Sequence, residues 1–138
     1  GIKRSVIGIS GGLDSTLALL VAVKTYDKLQ ISRKEIYGIT MPGFGTTGRT
    51  YQNALQMMKS LGISTLEIPI KEACLQHFKD IKHNPEVTDT TFENAQARER
   101  TQILMMSVLP SMPTKTAWSI SLILPPDVLR GKSFTRRC

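Results

Sequence analysis

Val-Ile-Gly-Ile-Ser-Gly-Gly-Leu-Asp-Ser-Thr, residues 6–16, joins a short β-branched run, two glycines and the start of an apolar helical pattern. Gly11 and Gly12 let the backbone approach a ligand that a Cβ would hold away. The amides that open the following helix have no partner inside it and carry partial positive charge. Three hydroxyl side chains accompany them: Ser10, Ser15 and Thr16. The combination predicts an anion-binding turn suited to a pyrophosphate.

Asp14 is the unexpected member of this turn, because a carboxylate repels phosphates unless a cation lies between them. Magnesium is the cation that proteins usually hold beside phosphates in this way. The spacing lacks the Gly-x-x-x-x-Gly-Lys-Ser/Thr pattern and its lysine, which excludes the common NTPase loop. A simpler alternative is a strand-to-helix turn in which the glycines bend the chain and Asp14 or Ser15 caps the helix.

Strand and helix patterns alternate three times in the first part of the chain. Strands are predicted at 5–10, 36–41 and 67–70, and helices at 13–28, 50–61 and 72–81. Such alternation requires crossover connections, which are right-handed and lead to a parallel sheet. We therefore expect an α/β fold, a doubly wound parallel sheet with helices on both faces. Ligands of such sheets bind at the carboxyl ends of the strands, where the glycine-rich turns at 11–12 and 42–45 fall.

A fourth helix is expected from residue 91 or 92 to residue 106, after a polar stretch at 83–89 that we predict to be a mobile loop. Residues at i, i+4 and i+7 form its polar stripe: Asn94, Arg98 and Thr101. Its inner face is expected to carry Ala95, Ile103 and Met106.

The formal net charge of +7 is unevenly distributed over the 138 residues. Residues 1–106 carry 13 Lys and Arg against 10 Asp and Glu, while residues 107–138 carry five against one and four of the seven prolines. The mild basicity of the first region suits a protein that binds polyphosphates and gives little support for nucleic-acid binding. In the second region only residues 118–124 resemble a strand, so we treat 1–106 and 107–138 as separate regions.

The hydrophobic segments and the cysteine content of the chain indicate its cellular compartment. No stretch approaches the roughly 18 apolar residues of a membrane span, and no signal-peptide pattern opens the sequence. Cys74 and Cys138 form no disulfide framework, so a reducing cytosol is the expected compartment. The absence of an initial methionine and the early strand suggest a domain excised from a longer protein.

Two further segments accompany the first turn. Residues 39–47, Ile-Thr-Met-Pro-Gly-Phe-Gly-Thr-Thr, end the second strand with a turn at the same sheet edge, so that the two turns would form a cleft. Residues 92–101, Phe-Glu-Asn-Ala-Gln-Ala-Arg-Glu-Arg-Thr, open the fourth helix. The simpler interpretation of residues 39–47 is a Pro-Gly turn that leads to a helix. The simpler interpretation of residues 92–101 is an ordinary charged helix surface.

The run Ser-Gly-Gly-Leu-Asp-Ser-Thr resembles the signature of the ATP pyrophosphatases, which split ATP to AMP and pyrophosphate while activating a carboxyl or carbonyl oxygen. With Met-Pro-Gly-Phe-Gly-Thr-Thr and Glu-Asn-x-Gln-Ala-Arg-Glu-Arg in the same order and spacing, residues 6–106 resemble the synthetase domain of NAD synthases. The likeness is strongest to the type joined to a glutamine-hydrolysing amidase domain. It implies the adenine nucleotide alpha hydrolase-like fold.

The resemblance also implies roles for individual residues. It implies an ATP site made of Ile9, Ser10, Gly11, Gly12, Leu13, Asp14, Ser15, Thr16, Met41, Thr46 and Arg49. Within that site Met41 would contact adenine, and Asp14 would hold Mg²⁺. Asp14 and Ser15 would be the catalytic residues, while Asn94 and Arg98 would face the substrate deamido-NAD.

The implied reaction is the ATP-dependent amidation of deamido-NAD to NAD. The nicotinate carboxylate attacks the α-phosphate, which gives an acyl-adenylate and pyrophosphate, and ammonia then displaces AMP. The ammonia is free or comes from glutamine through an amidase domain outside this chain. Such catalysis depends on positioning and charge neutralisation, so no side-chain nucleophile is needed. The implied partners are these small molecules and a second subunit, in a homodimer or larger assembly, with no nucleic acid or membrane.

The tail departs from the family pattern. A Gly-Thr-Gly-Asp-Leu-Ser-Glu motif, which would add ATP contacts and a second acidic magnesium ligand, has no match in residues 107–138. We therefore expect this chain to bind ATP weakly and to be impaired as a synthase. Two alternatives remain: another ATP pyrophosphatase such as a GMP synthase or a tRNA thiolase, and a non-catalytic nucleotide-binding module.

Overall fold

A computed structural model describes residues 4–46 and 48–107. Its strands are β1 (Ser5–Gly8), β2 (Ile36–Thr40) and β3 (Ser64–Glu67). Its α-helices are α1 (Leu13–Lys28), α2 (Gly48–Leu61), α3 (Lys71–Asp80) and α4 (Thr90–Ser107), and a short 3₁₀ turn (Arg33–Glu35) precedes β2. The predicted helices are confirmed, α1 at both of its predicted ends.

The three strands form one parallel sheet in the order β1-β2-β3. The ladder continues past the strand ends, because the Ile9 amide donates to the Ile39 carbonyl at 2.8 Å and the Ile68 amide to the Thr40 carbonyl at 2.9 Å. All three strands therefore deliver the chain to the same carboxyl edge, where the predicted turns lie.

Helices cover both faces of this sheet, as expected for the fold class. Side chains alternate along β2, so Ile36 contributes to one apolar cluster and Ile39 to the other. The first cluster includes Leu19 of α1 and Met58 of α2, while the second includes Phe78 of α3 and residues of α4. Each fully buried side chain of this size contributes about 1.5–3 kcal/mol relative to exposure.

Two details of the sequence prediction are wrong. The third strand occupies Ser64–Glu67 and not 67–70, and most of its side chains are exposed. On α4, Leu104 is buried at 1% exposure, whereas Met106 is 56% exposed. Leu104 packs against Gly8, where an added Cβ would lie 2.9 Å from its Cδ1 atom.

The connection between α3 and α4 carries several hydrogen bonds. The Asp89 carboxylate accepts the Phe92 amide at 2.9 Å and lies 3.1 Å from Nε2 of His83. The Asn84 side chain accepts the Glu86 amide at 3.0 Å.

The strand predicted at 118–124 lies outside the described residues. Within the described part of the chain, no helix combines the length and apolar character that crossing a membrane requires.

Candidate functional site

The turn after β1 contains two glycines in different conformations. Gly11 has a φ of +83°, in the left-handed region that side chains with a Cβ rarely adopt. A Cβ at this position would also overlap the carbonyl oxygen of Thr50 in the first turn of α2. Gly12 has an ordinary φ of −82° and precedes α1 as its N-cap. The turn is therefore pressed against α2 on one side and opens a helix on the other.

The hydroxyl groups of the turn are hydrogen-bonded to the turn itself. Ser15 Oγ donates to the Gly12 carbonyl at 3.1 Å, and Thr16 Oγ1 donates to the same oxygen at 2.8 Å. The Gly12 amide donates to Ser10 Oγ at 3.3 Å. These bonds give the turn its shape within the protein.

No side chain caps the N-terminus of α1. The alternative in which Asp14 or Ser15 serves as the cap is therefore wrong. Because the first amides of a helix have no acceptor inside it, the N-terminal amides of α1 are left to bind an external group. Their partial positive charge favours an anion.

The remaining residues of the predicted phosphate site differ in exposure. Ile9 is 2% exposed and belongs to the core beneath the turn, whereas Leu13 is 83% exposed at the start of α1. Asp14 is exposed beside the free amides. Among residues 4–46 and 48–107, no group of three or more His, Cys, Asp or Glu side chains is arranged to hold a metal ion.

A shallow cleft of about 410 Å³ adjoins this turn. It is lined by side chains and backbone of the turn and of α2: Gly11, Thr16, Asn53, Gln56, Met57 and Ser60. The lining is mainly polar and uncharged, so the cleft offers hydrogen bonds rather than a charge.

The second turn, residues 42–46, is closed by one of its own side chains. The Gly43 amide donates to Thr46 Oγ1 at 2.9 Å. Met41 is 8% exposed and belongs to the core cluster that contains Leu104, so its side chain has a packing role. Arg49 is exposed in the first turn of α2. Contact of these side chains with adenine stays a prediction.

The substrate residues predicted on α4 are exposed, as their stripe required. Asn94 and Arg98 both lie on the open surface of the helix. In the described part of the chain, no hydrogen bond or ion pair joins Asn94 or Arg98 to the turn at residues 10–16. Their contact with deamido-NAD also stays a prediction.

Two residues of α4 that the sequence reasoning passed over lie against the second turn. Gln96 is 8% exposed, and its Oε1 accepts the Phe44 amide at 3.2 Å. Arg100 is partly buried, and its Nε donates to the Met41 carbonyl at 3.4 Å. Burial lowers the pKa of the Arg100 guanidinium. None of the ion pairs within the described residues involves Arg100. In the sequence, the only sign that Gln96 and Arg100 lie on the same side of α4 is their i, i+4 spacing.

Aromatic rings hold the second turn from below. Phe44 lies 5.1 Å from Phe92 and 6.2 Å from Phe78, measured between ring centroids, and the Lys71 ammonium lies 5.5 Å from the centre of the Phe44 ring. Cys74 is buried in the same cluster, and burial raises the pKa of its thiol, as is typical of a cysteine that packs in a core.

A parallel sheet with an uncapped helix N-terminus behind a glycine turn at its carboxyl edge is the architecture of α/β nucleotide-binding domains. Comparison with known sequences is more specific, because the NAD synthase family model matches residues 1–110. The chain belongs to the NAD synthase family.

Individual relatives agree with this assignment. A glutamine-dependent NAD(+) synthetase of Mycobacterium leprae is 45% identical over 105 residues, which are 73% of this chain and 15% of that protein. The structure of glutamine-dependent NAD+ synthetase from Acinetobacter baumannii in complex with ADP is similar, with a TM-score of 0.67, 26% identity and coverage of 76% of this chain and 19% of that one. NMN synthetase from Francisella tularensis is similar with a TM-score of 0.65, 28% identity and coverage of 78% and 41%. The chain thus spans less than a fifth of the M. leprae relative.

Proposed function

We propose that the protein to which this chain belongs forms NAD from deamido-NAD, ATP and ammonia, and that residues 4–107 supply its ATP-phosphate turn. The observation that carries the proposal is the turn at residues 10–16, whose glycines, internal hydrogen bonds and uncapped helix suit a polyphosphate. Membership of the NAD synthase family supports the choice of substrate.

The phosphate groups bind at the N-terminal amides of α1. Ser10, Ser15 and Thr16 hold the turn in shape around them, and the Ser15 hydroxyl is bonded both to the Gly12 carbonyl and to the Ser10 hydroxyl. Thr46 and Arg49 follow at the neighbouring turn, where they face the remainder of the nucleotide together with the edge of Met41.

Magnesium fits this site through Asp14. Mg²⁺ in nucleotide enzymes uses one or two carboxylates and completes its octahedral shell with phosphates and water, so a single exposed carboxylate beside the phosphate amides is a suitable donor. When bound, the ion neutralises charge on the phosphates. Without such a cation, the Asp14 carboxylate would repel the phosphates.

The chemistry requires orientation more than proton transfer. Asn94 and Arg98 bind deamido-NAD from the exposed face of α4, and Arg98 offsets the negative charge of that substrate. The nicotinate carboxylate attacks the α-phosphate, pyrophosphate leaves from the α1 amides, and ammonia displaces AMP from the acyl-adenylate. An amidase domain elsewhere in the protein supplies ammonia from glutamine, and we place the enzyme in the cytoplasm as a homodimer or larger assembly.

The phosphate site is tested by ATP binding to the 138-residue chain with and without Mg²⁺. We expect weak binding that Mg²⁺ strengthens, and Asp14→Asn should make the Mg²⁺-supported binding about tenfold weaker. Asp80→Asn, an exposed change on α3, is the matched control and should bind as the wild type does. Isothermal titration calorimetry gives the constants. No ATP binding at millimolar concentration, or an Asp14→Asn variant that responds to Mg²⁺ as before, would contradict the proposal.

A second candidate function is the amidation of nicotinic acid mononucleotide, favoured by the similarity to the Francisella tularensis NMN synthetase. The 45% identity to a glutamine-dependent NAD(+) synthetase favours deamido-NAD. Pyrophosphate release from ATP by the full protein that contains this segment separates the two. Release that depends on deamido-NAD supports the proposal, and release that depends on the mononucleotide supports the second candidate.

A further inference from the structure

We propose that Gln96 is a positioning residue that holds the turn at residues 42–46 in place from α4. The inference rests on the proposed function only in assigning this turn to the wall of the ATP site. Gln96 reaches the turn from a helix that lies 52 positions away in the sequence.

The contact between α4 and the turn is close. The Phe44 amide donates to Oε1 of Gln96 at 3.2 Å, and Gln96 is 8% exposed. A Cβ added to Gly43 would lie 2.5 Å from that same Oε1 and 3.0 Å from Nη2 of Arg100. The glycine backbone therefore lies directly against the two side chains, with no room for a methyl group between them.

Successive polar groups of the turn backbone each have a side-chain partner. Arg100 donates to the Met41 carbonyl, Thr46 accepts the Gly43 amide, and Gln96 accepts the Phe44 amide. Two of these three partners come from α4. Since a partly buried amide without an acceptor is unfavourable, removal of the Gln96 acceptor should shift the Phe44 backbone toward water.

Two different faces of α4 carry the side chains that contact the turn and those proposed to bind substrate. Gln96 and Arg100, at i and i+4, point to the turn, whereas Asn94 and Arg98, also at i and i+4, are exposed. One helix thus carries the side chains proposed to bind deamido-NAD and also holds the turn at residues 42–46, which is proposed to lie beside the ATP. The distance between the two substrates is therefore determined by α4.

The first test measures amide hydrogen exchange by NMR in the 138-residue chain without ligand. In Gln96→Leu the Phe44 amide should exchange about tenfold faster, while amides of α1 and β2 keep their protection. Gln96→Glu retains an acceptor oxygen and should restore slow exchange. Gln102→Leu, the same change at an exposed position of α4, is the matched control. If Gln96→Leu unfolds, Gln96→Asn, whose side chain is one methylene too short, provides the comparison.

The second test compares ATP with inorganic pyrophosphate as ligands. Gln96→Leu should weaken ATP binding about fivefold and leave pyrophosphate binding unchanged, because pyrophosphate contacts only the turn after β1. General damage to the fold would weaken both. Phe44 exchange that is equal in wild type and variant overturns the positioning role. A wild-type chain that binds neither ligand instead overturns the proposed function, and the exchange measurement still decides the role of Gln96.

Discussion

Gly11 and Gly12 are adjacent, but the structure requires glycine at only one of them. Gly11 combines a φ of +83° with a backbone oxygen where its Cβ would be. At Gly12 the φ is −82° and a Cβ would meet Ser10 Oγ at an ordinary 3.4 Å. The backbone conformation of the turn therefore requires glycine at position 11. Gly12 is not required by its conformation, but it leaves space beside the amides of α1.

This difference predicts opposite outcomes for two neighbouring substitutions. Gly11→Ala should lower the free energy of unfolding by about 1–3 kcal/mol, because the left-handed backbone is strained and α2 must move. Gly12→Ala should change it by less than about 0.5 kcal/mol. Urea denaturation followed by circular dichroism measures both. Equal stability of the two variants would show that Gly11 is under no strain.

Sequence reasoning identified the residues of the first turn but missed those of α4 that face the second. The glycine turn is local, so its composition and order carry the information. Gln96, in contrast, lies among charged residues and reads as part of a solvated surface. Its hydrogen bond with the Phe44 amide is made through the tertiary fold, and no pattern within α4 indicates that contact.

At the level of elements, the displaced third strand shows what periodicity cannot detect. A strand was predicted at 67–70, yet β3 begins at Ser64 and is defined by its backbone pairing with β2. Its side chains are mostly exposed, so they carry little hydrophobic pattern. Pro69 has no amide, but it removes no bond to β2, because the Ile68 amide on one side of it donates to the Thr40 carbonyl. On the other side, the ladder reaches Ile70, whose amide donates to the Pro42 carbonyl.

The start of α4 should respond to acid through Asp89. Its pKa lies below the ordinary value because the carboxylate accepts the Phe92 amide, with a smaller contribution from His83. The unfolded chain therefore takes up a proton at higher pH than the folded chain. This stabilisation is present above the unfolded pKa of about 3.9 and is lost as the pH falls through the lower folded value.

Asp89→Asn tests that dependence, because asparagine keeps a capping oxygen without the titratable charge. The wild type should have the higher Tm at pH 7, and the difference should shrink as the pH falls below about 4. Thermal melts at a series of pH values measure the difference, with Glu86→Gln on the same connection as the control. A difference that is constant from pH 7 to acid would assign the effect to packing instead.

For the molecule as a whole, the alternation of strands and helices was sufficient to predict a parallel sheet covered on both faces. That prediction succeeds because a crossover connection leaves few possible topologies. The sheet separates two apolar clusters, one built on α1 and α2 and the other on α3 and α4. Since β2 contributes side chains to both clusters, we expect the two layers to unfold together.

Substitutions on opposite faces test this cooperativity. Leu19→Ala should cost about 2–5 kcal/mol and Phe78→Ala about 3–5 kcal/mol, because both side chains are almost fully buried. Each should move one common transition to lower denaturant concentration. Leu75→Ala, at a position that is 39% exposed, is the control and should cost less than about 1 kcal/mol. Two separated transitions in either core variant would mean that the layers are independent.

The hydrogen bonds inside the turn after β1 have a consequence for the speed of recognition. Ser10, Ser15 and Thr16 are bonded to Gly12 or to each other before any ligand arrives. An incoming polyphosphate therefore meets a receptor that is already assembled, and little chain entropy is lost on capture. Diffusion and the release of water from the anion should then set the association rate, with no preceding rearrangement of the turn.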